Sequence, residues 1–141
     1  MDTQEYHINE GILILPKDWR DQTLNVFVTG AGKGLSLAIS RDEIPWGMSF
    51  EEYVLGEIKK ISENFDKFEE DGRSVIEING ARCPVVRFHW TSPQGQLFQI
   101  MTIIKLEKRV IILTATMPEV ISSEQVKKIE EMFVSFKTRT A

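Results

Sequence analysis

Three tight turns between residues 79 and 108 constrain this chain more than any other feature. Asn79-Gly80 is the dipeptide that two-residue hairpin loops select, because both central positions need positive φ. "SPQG" at 92–95 places a proline at the second position of a turn, and Glu107-Lys108 separates two further apolar runs. The segments they divide, about 73–79, 82–92, 96–107 and 109–117, read as strands. Strands joined this closely must run antiparallel, since a parallel return needs a crossover of about a dozen residues or more.

Two helices interrupt the strands. In "SFEEYVLGEIKKISENF" (49–65), Phe50, Val54, Ile58, Ile61 and Phe65 recur at steps of four, four, three and four, which makes one apolar stripe. Ser49 followed by Glu52 is a capping box that marks the start. "SSEQVKKIEEMFVSFK" (122–137) repeats the design with Ser122 and Gln125, then Val126, Ile129, Met132, Phe133 and Phe136. Upstream, 5–15, 23–29 and 35–42 have strand character, so the order is β-β-β-α-β-β-β-β-α. That order predicts an α+β fold, an antiparallel sheet flanked by two helices. With 141 residues and no repeat or linker, residues 1–141 are expected to form a single domain.

The faces of the strands carry the functional signal. In "LSLAIS" (35–40), Leu35, Leu37 and Ile39 point to one side, while Ser36, Ala38 and Ser40 point to the other. A solvated strand face ordinarily carries Lys, Glu, Thr or Arg, so a Ser-Ala-Ser strip is unusual. Leu24, Val26 and Val28 alternate with Asn25 and Phe27, giving both faces apolar bulk. "QLFQIMTII" (96–104) likewise puts Leu97, Met101 and Ile103 on one face and Phe98, Ile100 and Ile104 on the other. A sheet with one wet face alternates cleanly between apolar and polar. This one does not, so something is expected to cover its second face.

Composition and motifs exclude much else. A net charge of −4 argues against binding nucleic acid through its phosphates, which requires a basic footprint. The start "MDTQEYHINEG" lacks the basic and apolar regions of a signal peptide, and no apolar run approaches a bilayer span, so a cytoplasmic location is expected. Cys83 has no second cysteine to pair with and reads as a small buried hydrophobe. "TGAGKG" (29–34) lacks the Ser or Thr after lysine and the following helix of a phosphate loop, and reads as a hairpin loop. His7 and His89 have no ligand partners at metal spacing, so no metal or cofactor is expected. Cys83 and His89 lie roughly 20 Å apart along one strand, too far to act together. Carboxylate pairs such as Glu51-Glu52 and Glu130-Glu131 fall on solvated helix faces. The chain is not expected to be an enzyme.

A set of motifs in order resembles one known family. "LPKDWRDQTLNVF", "LSLAISRD", "SFEEYV", "ING" leading to a strand that ends in "FHW", and a final helix ending in "SF" resemble the DcrB-related domain. They are closer still to its Eag branch, the effector-associated chaperones of bacterial type VI secretion systems. The pattern W-x-D-Q-[ST]-x-N-x-F is met by Trp19, Asp21, Gln22, Thr23, Asn25 and Phe27. The resemblance implies a fold similar to the photosystem PsbP subunit and a homodimer. It also implies a cytosolic, non-enzymatic chaperone that shields N-terminal transmembrane segments of a secreted effector, such as a PAAR- or Rhs-type toxin. Carried over by position, the contacts fall on Leu24, Ser36, Ser40, Ile61, Phe65 and Leu97.

Physical chemistry adds Ala38 to that set. A segment of ~20 apolar residues stays out of aggregates only if its surface is covered. Small side chains let a helix backbone approach closely, and hydroxyls can bond to its polar atoms, as between helices inside membranes. Covering roughly several hundred Å² of apolar surface contributes ~25 cal/mol per Å² before ordering costs. On periodicity alone, Ile61 and Phe65 fit the core and a groove equally well. In "PKDWRDQT" (16–23), Trp19 is expected to pack under the turn and Asp21 to cap nearby amides.

Overall fold

The computed structural model describes residues 2–19, 23–28 and 34–139. Eight strands and two helices follow in the order β1 (Thr3–Ile8), β2 (Gly11–Pro16), β3 (Asn25–Val28), β4 (Ser36–Glu43), α1 (Phe50–Asn64), β5 (Glu69–Ile78), β6 (Ala81–Ser92), β7 (Gly95–Leu106), β8 (Arg109–Met117) and α2 (Ser123–Val134). Strands β3 to β8 form one antiparallel sheet in the order β3-β4-β8-β7-β6-β5, and β1-β2 is a separate two-stranded sheet. The α+β class and the hairpin meander expected from the turns are both present. Asn79 and Gly80 have φ of 52° and 81°, and Glu107 adopts φ of 59° at the last hairpin.

Two elements depart from expectation. Residues 5–15 form a hairpin, not one strand: the chain reverses at Asn9-Glu10 and pairs Ile8 with Gly11. Strand character continues on both sides of that polar pair, so periodicity alone does not reveal the break. Strand β5 also begins at Glu69, four residues earlier than the apolar pattern suggests, and carries a bulge between Glu70 and Gly72. Its charged start suits an edge strand, which is protected from further pairing by such residues.

The helices cover opposite faces of the sheet. On one face Leu37, Ile39, Val85, Ile100, Leu113 and Ala115 pack against Ile129 and Phe133 of α2. On the other, Val86, Phe88, Met101, Ile103 and Val110 pack against Tyr53, Val54 and Ile58 of α1. Both capping boxes form as the sequence implies, with the Ser49 and Ser122 hydroxyls accepting from the amides of Glu52 and Gln125. Each such cap contributes about 1 kcal/mol. The Tyr53 hydroxyl donates to Asp42 Oδ2 at 2.6 Å and fixes α1 to the end of β4. Burial, more than that bond, pushes the Tyr53 pKa well above its ordinary value.

One polar atom in the core has no partner. Thr102, fully buried between Val85 and Leu113 on neighbouring strands, leaves its Oγ1 without a hydrogen bond among the described residues. A buried unmade hydrogen bond costs about 1–3 kcal/mol. Thr102→Val, of nearly the same shape, is therefore expected to raise stability by about 1 kcal/mol in urea unfolding. A loss of more than 1 kcal/mol would show that the hydroxyl is satisfied.

Candidate functional site

Helix α1 covers only part of its face of the sheet. It lies over β6, β7 and the Val110–Ile112 end of β8, as the side chains packed against it show. The registers place two rows of side chains across that face, running from its uncovered side to residues beneath α1. One runs Val28, Ser36, Thr116, Gln99 and Phe88 across β3, β4, β8, β7 and β6. The next runs Val26, Ala38, Thr114, Met101 and Val86. Ser40 follows opposite Ile112. Ser36, Ala38, Ser40, Thr114 and Thr116 are half-buried, whereas Val26 and Val28 are exposed. The result is a strip with small and hydroxylated side chains along its floor and valines along its outer rim. From β3 to β7 it measures roughly 14 Å at a strand spacing of ~4.8 Å. An α-helix is about 10–12 Å across with its side chains.

An amide bridge closes the inner end of the strip. Trp90 Nε1 donates to Gln99 Oε1 at 2.6 Å, and Gln99 Nε2 donates to Thr116 Oγ1 at 2.8 Å. The Trp90 ring stacks on Phe65, with centroids 4.1 Å apart. Phe65, at the C-terminal cap of α1, is thereby linked through Trp90, Gln99 and Thr116 to Ser36. Leu97 sits beside this bridge, opposite Trp90.

The structure brings most of the expected residues to one face. Ser36, Ala38 and Ser40 share the strip, and Leu97 lies at its inner end on the same side of the sheet. Leu24 is exposed and stands one residue before β3 begins. Ile61 and Phe65 are half-buried against the α1 core and remain partly open. The core reading that periodicity allowed for both is thus present in part, since each packs against that cluster without being fully buried. Gln99, Thr114, Thr116 and Trp90 went unread at the sequence level. Gln99 alternates with Leu97 and Met101, so strand parity identifies its face, but its bridge depends on register.

The remaining chemistry lies elsewhere. His89 Nδ1 lies 2.8 Å from Asp71 Oδ2, and its Nε2 lies 3.3 Å from Glu69 Oε2. These carboxylates, on β5, were missed as partners because they are neighbours only through strand pairing. His89 stands on the α2 face, away from the strip, with Phe98 beside it. No cluster of three or more His, Cys, Asp or Glu suited to a metal occurs among the described residues. Burial pushes the Cys83 thiol pKa up, which disfavours the thiolate. A hollow of about 830 Å³ lies between Arg41, Trp46 and Arg109, but Arg41 is already bonded to Thr23 O and Asn25 Oδ1. Trp19 does not pack under its turn: it is 61% exposed, because the β1-β2 hairpin pairs apart from the larger sheet and leaves that ring without a core. Asp21 and Gln22, and most of the 29–34 loop, lie outside the described residues. No helix of the described residues is long and apolar enough to cross a membrane.

Comparisons with known proteins agree with this architecture. The family model DcrB matches residues 10–135. Effector EagT6 of Pseudomonas aeruginosa is 26% identical over 114 residues, which cover 79% of this chain and 79% of that protein. The crystal structure of PA94, a Pseudomonas aeruginosa protein of unknown function, superposes with a TM-score of 0.74 at 22% identity, over 99% of both chains. The Saccharomyces cerevisiae Ran-binding protein Mog1p aligns at a TM-score of 0.53 and 12% identity, over 93% of this chain and 84% of its own. Both structural likenesses are likenesses of fold.

Proposed function

Because the chain belongs to the DcrB family, we propose that it is a non-enzymatic, effector-associated chaperone of the Eag kind, acting in the cytoplasm on a type VI secretion effector. Its client is an effector with N-terminal transmembrane segments, which it shields before export. The sequence similarity to Effector EagT6 supports the effector-associated part of this reading. The observation that carries the rest is the half-buried strip of Ser36, Ala38, Ser40, Thr114 and Thr116 between apolar borders. Its breadth suits one apolar helix, and its small residues allow the backbone of that helix close to the sheet. The hydroxyls of Ser36, Ser40 and Thr114 are not engaged by hydrogen bonds among the described residues, so they are free to meet polar atoms of the client. Leu24, Ile61, Phe65 and Leu97 supply apolar area at the borders. No catalytic step is required, and the proposed assembly is a homodimer.

Co-expression tests the reading. A reporter fused to an effector's N-terminal transmembrane segment is expected to stay soluble and to co-purify with this chain, while the reporter fusion alone sediments. If a panel of such segments gains neither solubility nor a stable complex, the reading fails.

A further inference from the structure

The amide bridge at the inner end of the strip has a direction. An indole N–H can only donate, so Gln99 must turn its Oε1 toward Trp90, and the 2.6 Å contact agrees. That leaves Nε2 facing Thr116 Oγ1 at 2.8 Å, and an amide NH2 likewise can only donate. Thr116 therefore accepts from Gln99, and its own hydroxyl proton has to point elsewhere. Thr116 makes no side-chain hydrogen bond other than the one with Gln99 among the described residues. The proton is thus unused, on a half-buried residue of the strip.

The strand registers place that proton at one level of the strip. In the row Val28, Ser36, Thr116, Gln99 and Phe88, the three middle positions are polar. The next row has a single hydroxyl, Thr114, among Val26, Ala38, Met101 and Val86. Successive rows are about 6.6 Å apart and a helix rises about 5.4 Å per turn, so roughly one turn of a client helix would lie over each. Linked hydrogen bonds polarise one another, which makes a hydroxyl fed by Gln99 and Trp90 a stronger donor than an isolated one. The stack of Trp90 on Phe65 holds the ring from which the relay starts.

We propose that Thr116 is the specificity-determining donor of the strip: its hydroxyl, turned outward by Gln99 and Trp90, selects client helices that carry one serine or threonine oxygen at the level of the Ser36–Gln99 row. This rests on the client-binding reading above and names what that site selects. A wholly apolar helix would cover the proton and leave it without an acceptor, which disfavours binding. A helix with one hydroxyl in that turn accepts the bond and is still apolar enough to need shielding. Gln99 and Trp90 are positioning residues, since they act through Thr116.

Fluorescence anisotropy of the full chain with labelled segments tests the selection. The probes are uniform segments of about 20 leucines and alanines in which one central residue is alanine, serine or O-methylserine. Uniformity lets that residue find its level by sliding. The unsubstituted chain is expected to bind the serine and O-methylserine segments about fivefold or more tighter than the alanine one, the worth of one hydrogen bond. Thr116→Val is expected to reduce both preferences by about the same factor, and Thr116→Ser to retain them. Gln99→Glu reverses the relay at about pH 8, where an ionised carboxylate accepts from both Trp90 and Thr116. That variant is expected to keep the preference for serine, which can donate to Thr116, and to lose the preference for O-methylserine, which cannot. A bridge that serves packing alone gives no such split. Equal binding of the three segments, preferences unchanged in Thr116→Val, or a folded Gln99→Glu without the split overturns the proposal and leaves the client reading standing. If no segment binds, both fall together. Should Gln99→Glu lose its fold by circular dichroism, the two Thr116 variants decide.

Discussion

Ser36→Arg is expected to leave the fold intact and reduce client binding by at least 100-fold. Ser36 is half-buried in the floor of the strip, between Val28 and Thr116, and belongs to neither apolar core. In the empty protein a long cationic side chain can swing from the strip into water, so the melting temperature should change by only a few degrees. With an apolar helix seated, that route closes. The charge must then either be buried without a partner, at a cost of several kcal/mol, or hold the helix away from the floor. About 3 kcal/mol corresponds to roughly 100-fold in affinity. Ser36→Ala removes one hydroxyl and keeps the floor low, so it should weaken binding by no more than about tenfold. Fluorescence anisotropy with a labelled segment of about 20 apolar residues reads both variants. Equal binding by Ser36→Arg and the unsubstituted chain would move the client off this face.

Phe133→Ala is expected to bring the largest loss of stability. Phe133 is 0% exposed and lies in the cluster formed by Ile78, Val85, Ile100, Ile104, Leu113 and Ile129, where α2 packs onto the sheet. Truncating a buried phenylalanine removes its transfer energy and leaves a cavity, at a cost of about 3–5 kcal/mol. Domains of this kind have about 5–15 kcal/mol in total, so much of the margin goes. The neighbouring Met132, 41% exposed at the edge of the small cleft, should cost less than about 1 kcal/mol when replaced by alanine. Urea unfolding of the two variants measures the contrast. Similar losses from both would mean that α2 is seated differently.

These two residues also mark what a sequence discloses and what it withholds. Phe133 was legible because α2 has an amphipathic stripe with a capping box in front, and local periodicity alone specifies its inward side. The parity of Leu37 and Ile39 against Ser36, Ala38 and Ser40 was legible for the same reason, since a strand has only two faces. The bridge from Trp90 through Gln99 to Thr116 was not, because it needs the registers of three strands that no single segment encodes. Asp71 and Glu69 beside His89 were hidden likewise, and a bulge shifts their pairing further. The turn at Asn9-Glu10 went unseen because apolar strand residues resume at once behind it. That α1 meets β4 only near Asp42, and so leaves the Ser36–Ser40 stretch uncovered, is a fact of packing and not of pattern.

The strand order has a bearing on how the molecule is made. From β5 to β8 each strand follows its partner through a short turn, so that half can zip up from local encounters. Strand β4 instead has to find β8 across α1 and the whole meander, bringing Ser36 to Thr116, and among the described strands β3 pairs with β4 alone. Pairings between distant parts of a chain are slow to form, and weakly anchored edges are first to open. The β3-β4 side of the proposed cradle is therefore expected to assemble later, and to open more readily, than the β5-β8 meander. A seated client would act as the missing brace, firming its own berth by mass action.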